Sequence, residues 1–241
     1  MIDFYYCPAV NGHKVRIALE ELGAAYRVMP VDINNGDQFQ PAYLKISPNN
    51  KIPAMVDHEP PGGGRPLELF ESGAMLLYLA EKHGQLLPKD VHGRFDVLKW
   101  VFWQVGGLGP MGGQAIHFRE YAPEDVPYGK LRYTREIQRL FRVLDRQLAG
   151  KRYVAGANYS IADIACYPWI VPHERAGVQI DKFAEVKRWL ADIAARPAVQ
   201  RAYELAKSFQ RAPMDEVAKQ RLFHQSPESI EREVAARRGA A

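Results

Sequence analysis

The chain has 241 residues, 47% of them hydrophobic and 25% charged, which is long and apolar enough to bury a sizeable core and excludes disorder throughout. Its 32 Lys and Arg exceed its 28 Asp and Glu by four, and the two signs are interspersed rather than blocked, so no nucleic-acid partner is implied. Cys7 and Cys166 give no disulfide framework, and neither they nor His13, His58, His83 and His117 have metal-ligand spacing. No apolar run approaches the roughly 20 residues of a membrane span, and the first residues lack a basic-then-apolar leader. A cytoplasmic protein without metal or membrane partner is expected.

Ile2 to Tyr6 is rich in β-formers and reads as an inner strand, ended by Cys7-Pro8-Ala9-Val10. Asn11 and Gly12 precede a run from His13 to Leu22 in which Val15, Ala18, Leu19 and Leu22 recur at helical spacing, and Gly23 closes it. Tyr26 to Val31 alternates as a second strand, which makes a parallel crossover unit. A polar loop, Asp32 to Gln40, and a short helix, Pro41 to Ile46, come next.

Pro53 opens a short apolar strand, Ala54 to Val56, where a proline forfeits only one ladder bond, and Ile52 before it keeps its own N–H and C=O free. Glu59-Pro60-Pro61-Gly62-Gly63-Gly64 turns the chain, and Leu67 to Phe70 returns as a hairpin or edge strand. Ser72 stands ahead of the helical pattern Ala74, Leu76, Leu77, Leu79, Ala80, closed by Gly84; a hydroxyl and free N–H groups at a helix start attract a carboxylate. The order βαβ then ββα is that of an α/β thioredoxin-like domain over residues 1–85. Within it Lys51, the free edge of Ile52, Glu71 and Ser72 surround one short extended space whose polarity suits a small peptide with two carboxylates and one amine.

After a linker at Leu86-Leu87-Pro88 strand signals vanish, and an all-helical domain is expected over residues 90–206. Phe95, Leu98, Val101, Phe102 and Val105 mark one helix face; Gly106, Gly107, Gly109, Pro110, Gly112 and Gly113 should weaken or kink that helix and allow close packing. Tyr128 to Leu148 carries Arg132, Arg135, Arg139 and Arg142 on what reads as a solvated basic face. Ser160-Ile161-Ala162-Asp163 is a capping-box variant opening a helix that contains Cys166, read as an inert core thiol. Phe183 to Ile193 and Ala198 to Ala206 give closing helices. The tail, 207–241, is charged and weakly periodic, and packing, covering the site and disorder all stay open for it.

Four stretches, Ser47-Pro48-Asn49-Asn50-Lys51-Ile52-Pro53-Ala54, Leu69-Phe70-Glu71-Ser72-Gly73-Ala74, Phe102 to Met111 and Asn158 to Ala165, together resemble the glutathione transferase family, and more narrowly its bacterial nu class, over about residues 1 to 205. The resemblance implies a glutathione transferase fold, a homodimer, and a glutathione-dependent disulfide-bond oxidoreductase that uses glutathione or glutathione disulfide to act on small disulfides. In that family the residue before a cis-proline, here Ile52, pairs with the cysteinyl backbone of glutathione, and a pair matching Glu71-Ser72 binds its γ-glutamyl end. Lys51 falls near the glycyl carboxylate, Gln38 matches a glutamine that helps bind glutathione, and Arg132 matches an arginine of the same site that acts across the dimer interface.

Nu-class members hold the thiolate with a threonine and an asparagine in the loop before the first helix. Asn11 matches the asparagine, but Ala9 stands where the threonine would be, so one hydroxyl donor is missing. Cys7-Pro8 resembles the Cys-Pro of omega-class transferases and glutaredoxins, whose cysteine forms a mixed disulfide with glutathione; a small apolar residue at a strand end fits Cys7 equally well, and both readings stand. Without Cys-x-x-Cys, a dithiol cycle is excluded at this loop. Two rival functions are conjugation of glutathione to electrophiles and ligand binding without turnover.

Overall fold

The computed structural model describes residues 1–238. Strands β1 (Ile2–Tyr6), β2 (Tyr26–Pro30), β3 (Ala54–Asp57) and β4 (Leu67–Phe70) form one mixed sheet in the order β2-β1-β3-β4. β1 and β2 run parallel with Ile2 opposite Tyr26, while β3 runs antiparallel to both β1 and β4. β1 is an inner strand, as its composition requires. All four residues of β3 are buried, which explains an unbroken apolar run where a half-exposed strand would alternate as β4 does.

Helices α1 (Val10–Glu21), α2 (Pro41–Ile46) and α3 (Ser72–His83) belong to the same part of the chain, and α1 packs on α3 over a core of Phe4, Tyr6, Ile17, Leu19, Met55, Met75, Leu76 and Leu79. Gly84 ends α3 in the left-handed conformation at φ 63°, a position that glycine occupies without cost.

Beyond the linker the named elements of the described residues are all helices. α4 (Val91–Trp103) runs through a π-helical turn, Gln104–Leu108, into α5 (Gly109–Ile116) and a second π-turn, His117–Tyr121. The glycines therefore loosen this helix into a wider turn and do not break it. A Cβ on Gly109 would lie 2.7 Å from Gln104 Nε2, and one on Gly112 would lie 3.1 Å from the Trp169 ring, so these two glycines serve close packing. The expected apolar face is corrected in part: Val97, Leu98 and Val101 are buried, whereas Phe95 and Phe102 are 62% and 67% exposed and share a solvent-facing stripe with Val91.

α6 (Pro127–Leu148) buries Ile137, Leu140, Phe141, Leu144 and Leu148 and leaves its arginines exposed. α7 (Ile161–Ile170) is nearly all buried and packs against α1, α3 and α4. Its start is fixed by the box read from the sequence: Ala162 N–H donates to Ser160 Oγ, and Ser160 N–H donates to Asp163 Oδ2 at 3.0 Å. Asp163 does more than cap, because its Oδ1 also accepts from Val154 N–H and Trp189 Nε1, each at 2.9 Å.

α8 (Ala184–Ala194) and α9 (Pro197–Lys207) follow, α9 lying along α1, with Arg196 and Arg201 paired to Glu21 and Glu20. The tail packs as α10 (Glu216–Phe223) and α11 (Pro227–Arg238). Its approach is tied to the loop after β2, where Asn34 Nδ2 donates to Ala212 C=O and Ala212 N–H to Asp32. Among the described residues no helix is long and apolar enough to cross a membrane.

Candidate functional site

The sheet's βαβ-ββα connections bring the N-terminal ends of α1 and α3 to the same edge as the Lys51-Ile52-Pro53 turn. Asn11, Lys51, Ile52, Glu71 and Ser72 there line one narrow cleft of about 170 Å³. A wider cavity of about 600 Å³ adjoins it, sharing Asn11, Lys51, Glu71 and Ser72 and continuing past Lys14, Gln104, Trp169 and Phe223.

Each wall has a local cause. The Ile52–Pro53 bond is cis, and neither the N–H nor the C=O of Ile52 has a protein partner among the described residues. The preceding carbonyl, Lys51 C=O, is held in place by Tyr43 Oη at 2.8 Å and Ser47 Oγ at 2.9 Å. Glu71 turns β4 into α3 at φ 71°, a left-handed conformation unfavourable for a residue with a Cβ and of the kind that gathers at ligand sites. Ser72 is then the first residue of α3, 7% exposed, beside helix N–H groups that have no intrahelical acceptor.

At the other end Ala9 precedes α1 and no side chain caps it, so the first N–H groups of that helix have no side-chain acceptor. Asn11, in the first turn, accepts a hydrogen bond from Trp169 Nε1 at 2.9 Å. An indole N–H only donates, so the oxygen of Asn11 faces Trp169 and its NH₂ faces the cavity as a donor.

Three expected site residues are not brought together with these. Cys7 is fully buried and lines neither cavity, and burial pushes its thiol up, away from the reactive thiolate. Gln38 is buried, donates to Ile33 C=O at 3.2 Å, and also stays outside both cavities. Arg132 is exposed on α6 and does not reach the cleft within one chain.

Other residues lie at the site without having been singled out. Lys14, one turn after Asn11, is only 2% exposed, and burial draws its amine down to about 7. The tail reaches the wider cavity: Phe223 lines it and stacks on Tyr121 with centroids 4.6 Å apart, and Gln225 accepts from Lys51 Nζ at 3.1 Å. Only the spacing of Lys14 from Asn11 was visible in sequence. Among the described residues no group of three or more His, Cys, Asp and Glu is placed to hold a metal ion.

A mixed sheet of this order, with a donor-lined cleft between two helix starts and a helical partner region, defines a glutathione transferase. Residues 2–81 match the glutathione S-transferase N-terminal domain model and residues 129–213 the C-terminal domain model; the chain belongs to the glutathione S-transferase family. It is 52% identical over 202 residues to the disulfide-bond oxidoreductase YfcG of Escherichia coli K12, covering 84% of this chain and 94% of that one. A glutathione transferase family member from Pseudomonas fluorescens pf-5, solved with two glutathione molecules bound, superposes with a TM-score of 0.80 at 45% identity, covering 84% of this chain and 92% of that one. A glutathione transferase from Pseudomonas putida, solved with one glutathione disulfide per subunit, superposes at 0.79 with 44% identity, covering 85% and 91%.

Proposed function

We propose that the protein is a cytoplasmic, homodimeric, nu-class glutathione-dependent disulfide-bond oxidoreductase that reduces small disulfides. In this reading residues 1–85 are its thioredoxin-like glutathione-binding domain, 90–206 its helical domain and 207–241 its C-terminal tail. The observation that carries it is the set of groups in one cleft: a free backbone edge at Ile52, two helix starts, and the outward-facing amide of Asn11. The name of YfcG and the ligands bound in the two solved relatives favour the same chemistry.

Glutathione then lies with its cysteinyl backbone on Ile52, its γ-glutamyl carboxylate at Ser72 and the start of α3, its amine on Glu71, and its glycyl carboxylate toward Lys51. Its sulfur faces the start of α1 and the Asn11 NH₂, where donors and helix charge favour the thiolate. That thiolate attacks one sulfur of the substrate disulfide: the new S–S bond forms as the old one breaks, and the leaving thiolate takes a proton from solvent. A second glutathione thiolate then attacks the mixed disulfide, releasing the other substrate thiol and leaving glutathione disulfide. The 600 Å³ cavity gives the second molecule room.

The exposed stripe of Val91, Phe95 and Phe102 on α4, and Tyr128 and Leu131 exposed on α6, support a partner subunit packed on these helices, and in this reading Arg132 serves the site across that interface. Gln38 acts through the loop it ties to Ile33. Trp169, Val105 and Phe223 also give the cavity apolar surface, the one feature that favours conjugation of electrophiles. Calorimetric titration with glutathione tests the assignment: Ser72→Ala should weaken binding roughly tenfold, the size of a hydrogen bond to a charged group, with the fold unchanged. Equal affinity would remove Ser72 from the site.

A further inference from the structure

The thiol-exchange steps do not use Lys14, yet its position is unusual for a lysine. It sits on the second turn of α1 with its side chain closed off from solvent, its Nζ 2.5 Å from Gln104 Oε1 and 3.4 Å from Ser72 Oγ. Gln104 is itself fully buried, and its Nε2, pressed against Gly109, has no partner among the described residues. An ammonium has donors and no acceptor, so the Ser72 oxygen accepts from Lys14, and the Ser72 hydrogen is left to point into the cleft.

The surroundings give this cation little compensation. From α3 it faces Ser72, with Glu71 acting at a distance; from the π-turn it faces Gln104; from α7 it faces the Cys166 thiol, which burial keeps protonated. On α1 itself the neighbouring His13 is held neutral, its basicity lowered to about 4 by burial and by the charges of Arg16 and Arg211. No carboxylate is hydrogen-bonded to Lys14 among the described residues, and a buried charge without one is costly.

We propose that Lys14 is a positioning residue of the carboxylate subsite: it aims the Ser72 hydroxyl at the γ-glutamyl carboxylate of glutathione and takes up a proton from solvent when that carboxylate binds. The inference rests on glutathione occupying the cleft as set out above. Its physical basis is linkage. With the amine lowered to about 7, Lys14 is only partly charged at neutral pH in the empty site, and a bound carboxylate restores full protonation.

The probe is S-methylglutathione, which has no thiol to titrate, in calorimetry with two buffers of different ionisation heat. The unaltered protein should take up about half a proton per site at pH 7, approaching one at pH 8, and its affinity should fall about fivefold between those values. Lys14→Arg, charged throughout, should bind with no uptake and with flat affinity. Binding by the unaltered protein without proton uptake, or uptake that persists in Lys14→Arg, overturns the role of Lys14. No binding at all overturns the glutathione assignment and this inference with it. Independently of any variant, ¹³C NMR of the lysine side chains in the unaltered protein should show one titrating near 7 and moving upward with the ligand; titration of every lysine above about 9 in the free protein contradicts the proposal.

Discussion

Asn11→Ala is expected to lower glutathione-dependent disulfide reduction about a hundredfold, in the range found when one donor to a developing or resident anion is removed. With Ala9 in place of a hydroxyl residue, the Asn11 amide is the one side-chain donor that the Cys7–Asn11 loop offers the sulfur; the first N–H groups of α1 remain to supply the rest. The substitution also takes the acceptor from Trp169 Nε1, a half-buried indole, at a cost in stability of about 1 kcal/mol that does not threaten the fold. Asn11→Asp separates the two effects. It keeps the bond to Trp169 but places a negative charge beside the thiolate, which raises the thiol's pKa, so the remaining activity should move to higher pH. The pH profile of kcat/KM on a small disulfide checks both; activity within about threefold of the unaltered enzyme for Asn11→Ala contradicts the role.

The second large effect is on stability. Asp163 is fully buried and accepts from Ser160 N–H, Val154 N–H and Trp189 Nε1 while its helix carries Trp169 to Asn11. Asp163→Ala strands those donors in the core and opens a cavity, and should cost about 3–5 kcal/mol, read as a fall of roughly 10 °C in Tm and a matching fall in denaturation midpoint. Asp163→Asn keeps the volume and one acceptor, so its loss should be smaller. A change under about 1 kcal/mol for Asp163→Ala would show that the network is not what anchors α7.

The parts of this protein written in local chemistry were readable without coordinates. Pro53 before an apolar run, the glycine-rich turn at Gly62-Gly63-Gly64, Gly84 after α3 and the Ser160 box each act within a few residues, so the strands, the start of α3 and the gathering of Lys51, Ile52, Glu71 and Ser72 followed from spacing, whereas Asn11 entered through the family resemblance and α1 begins at Val10, ahead of the run from His13. What escaped depends on packing between distant segments. Lys14 has no local mark in the sequence, because its burial depends on α3 and on Gln104, ninety residues away. Phe95 and Phe102 fit an apolar stripe whose actual buried side is a few tens of degrees around the helix, at Val97 and Val101. The tail's weak periodicity said nothing of bonds such as Lys51 to Gln225, which span 174 residues. Cys7 admitted two readings because sequence position fixes neither accessibility nor the dielectric around a sulfur; burial favours the structural one.

The central claim, that glutathione's own sulfur does the chemistry at Asn11 and the start of α1, is tested most directly by glutathione-dependent reduction of a small mixed disulfide, measured side by side on the unaltered protein and on Cys7→Ala. Equal rates are expected, because the Cys7 thiol lies outside both cavities with its ionisation suppressed by burial. Activity in the unaltered protein and none in folded Cys7→Ala would contradict the account, since the reaction would then run through a protein mixed disulfide at a cysteine that the structure buries.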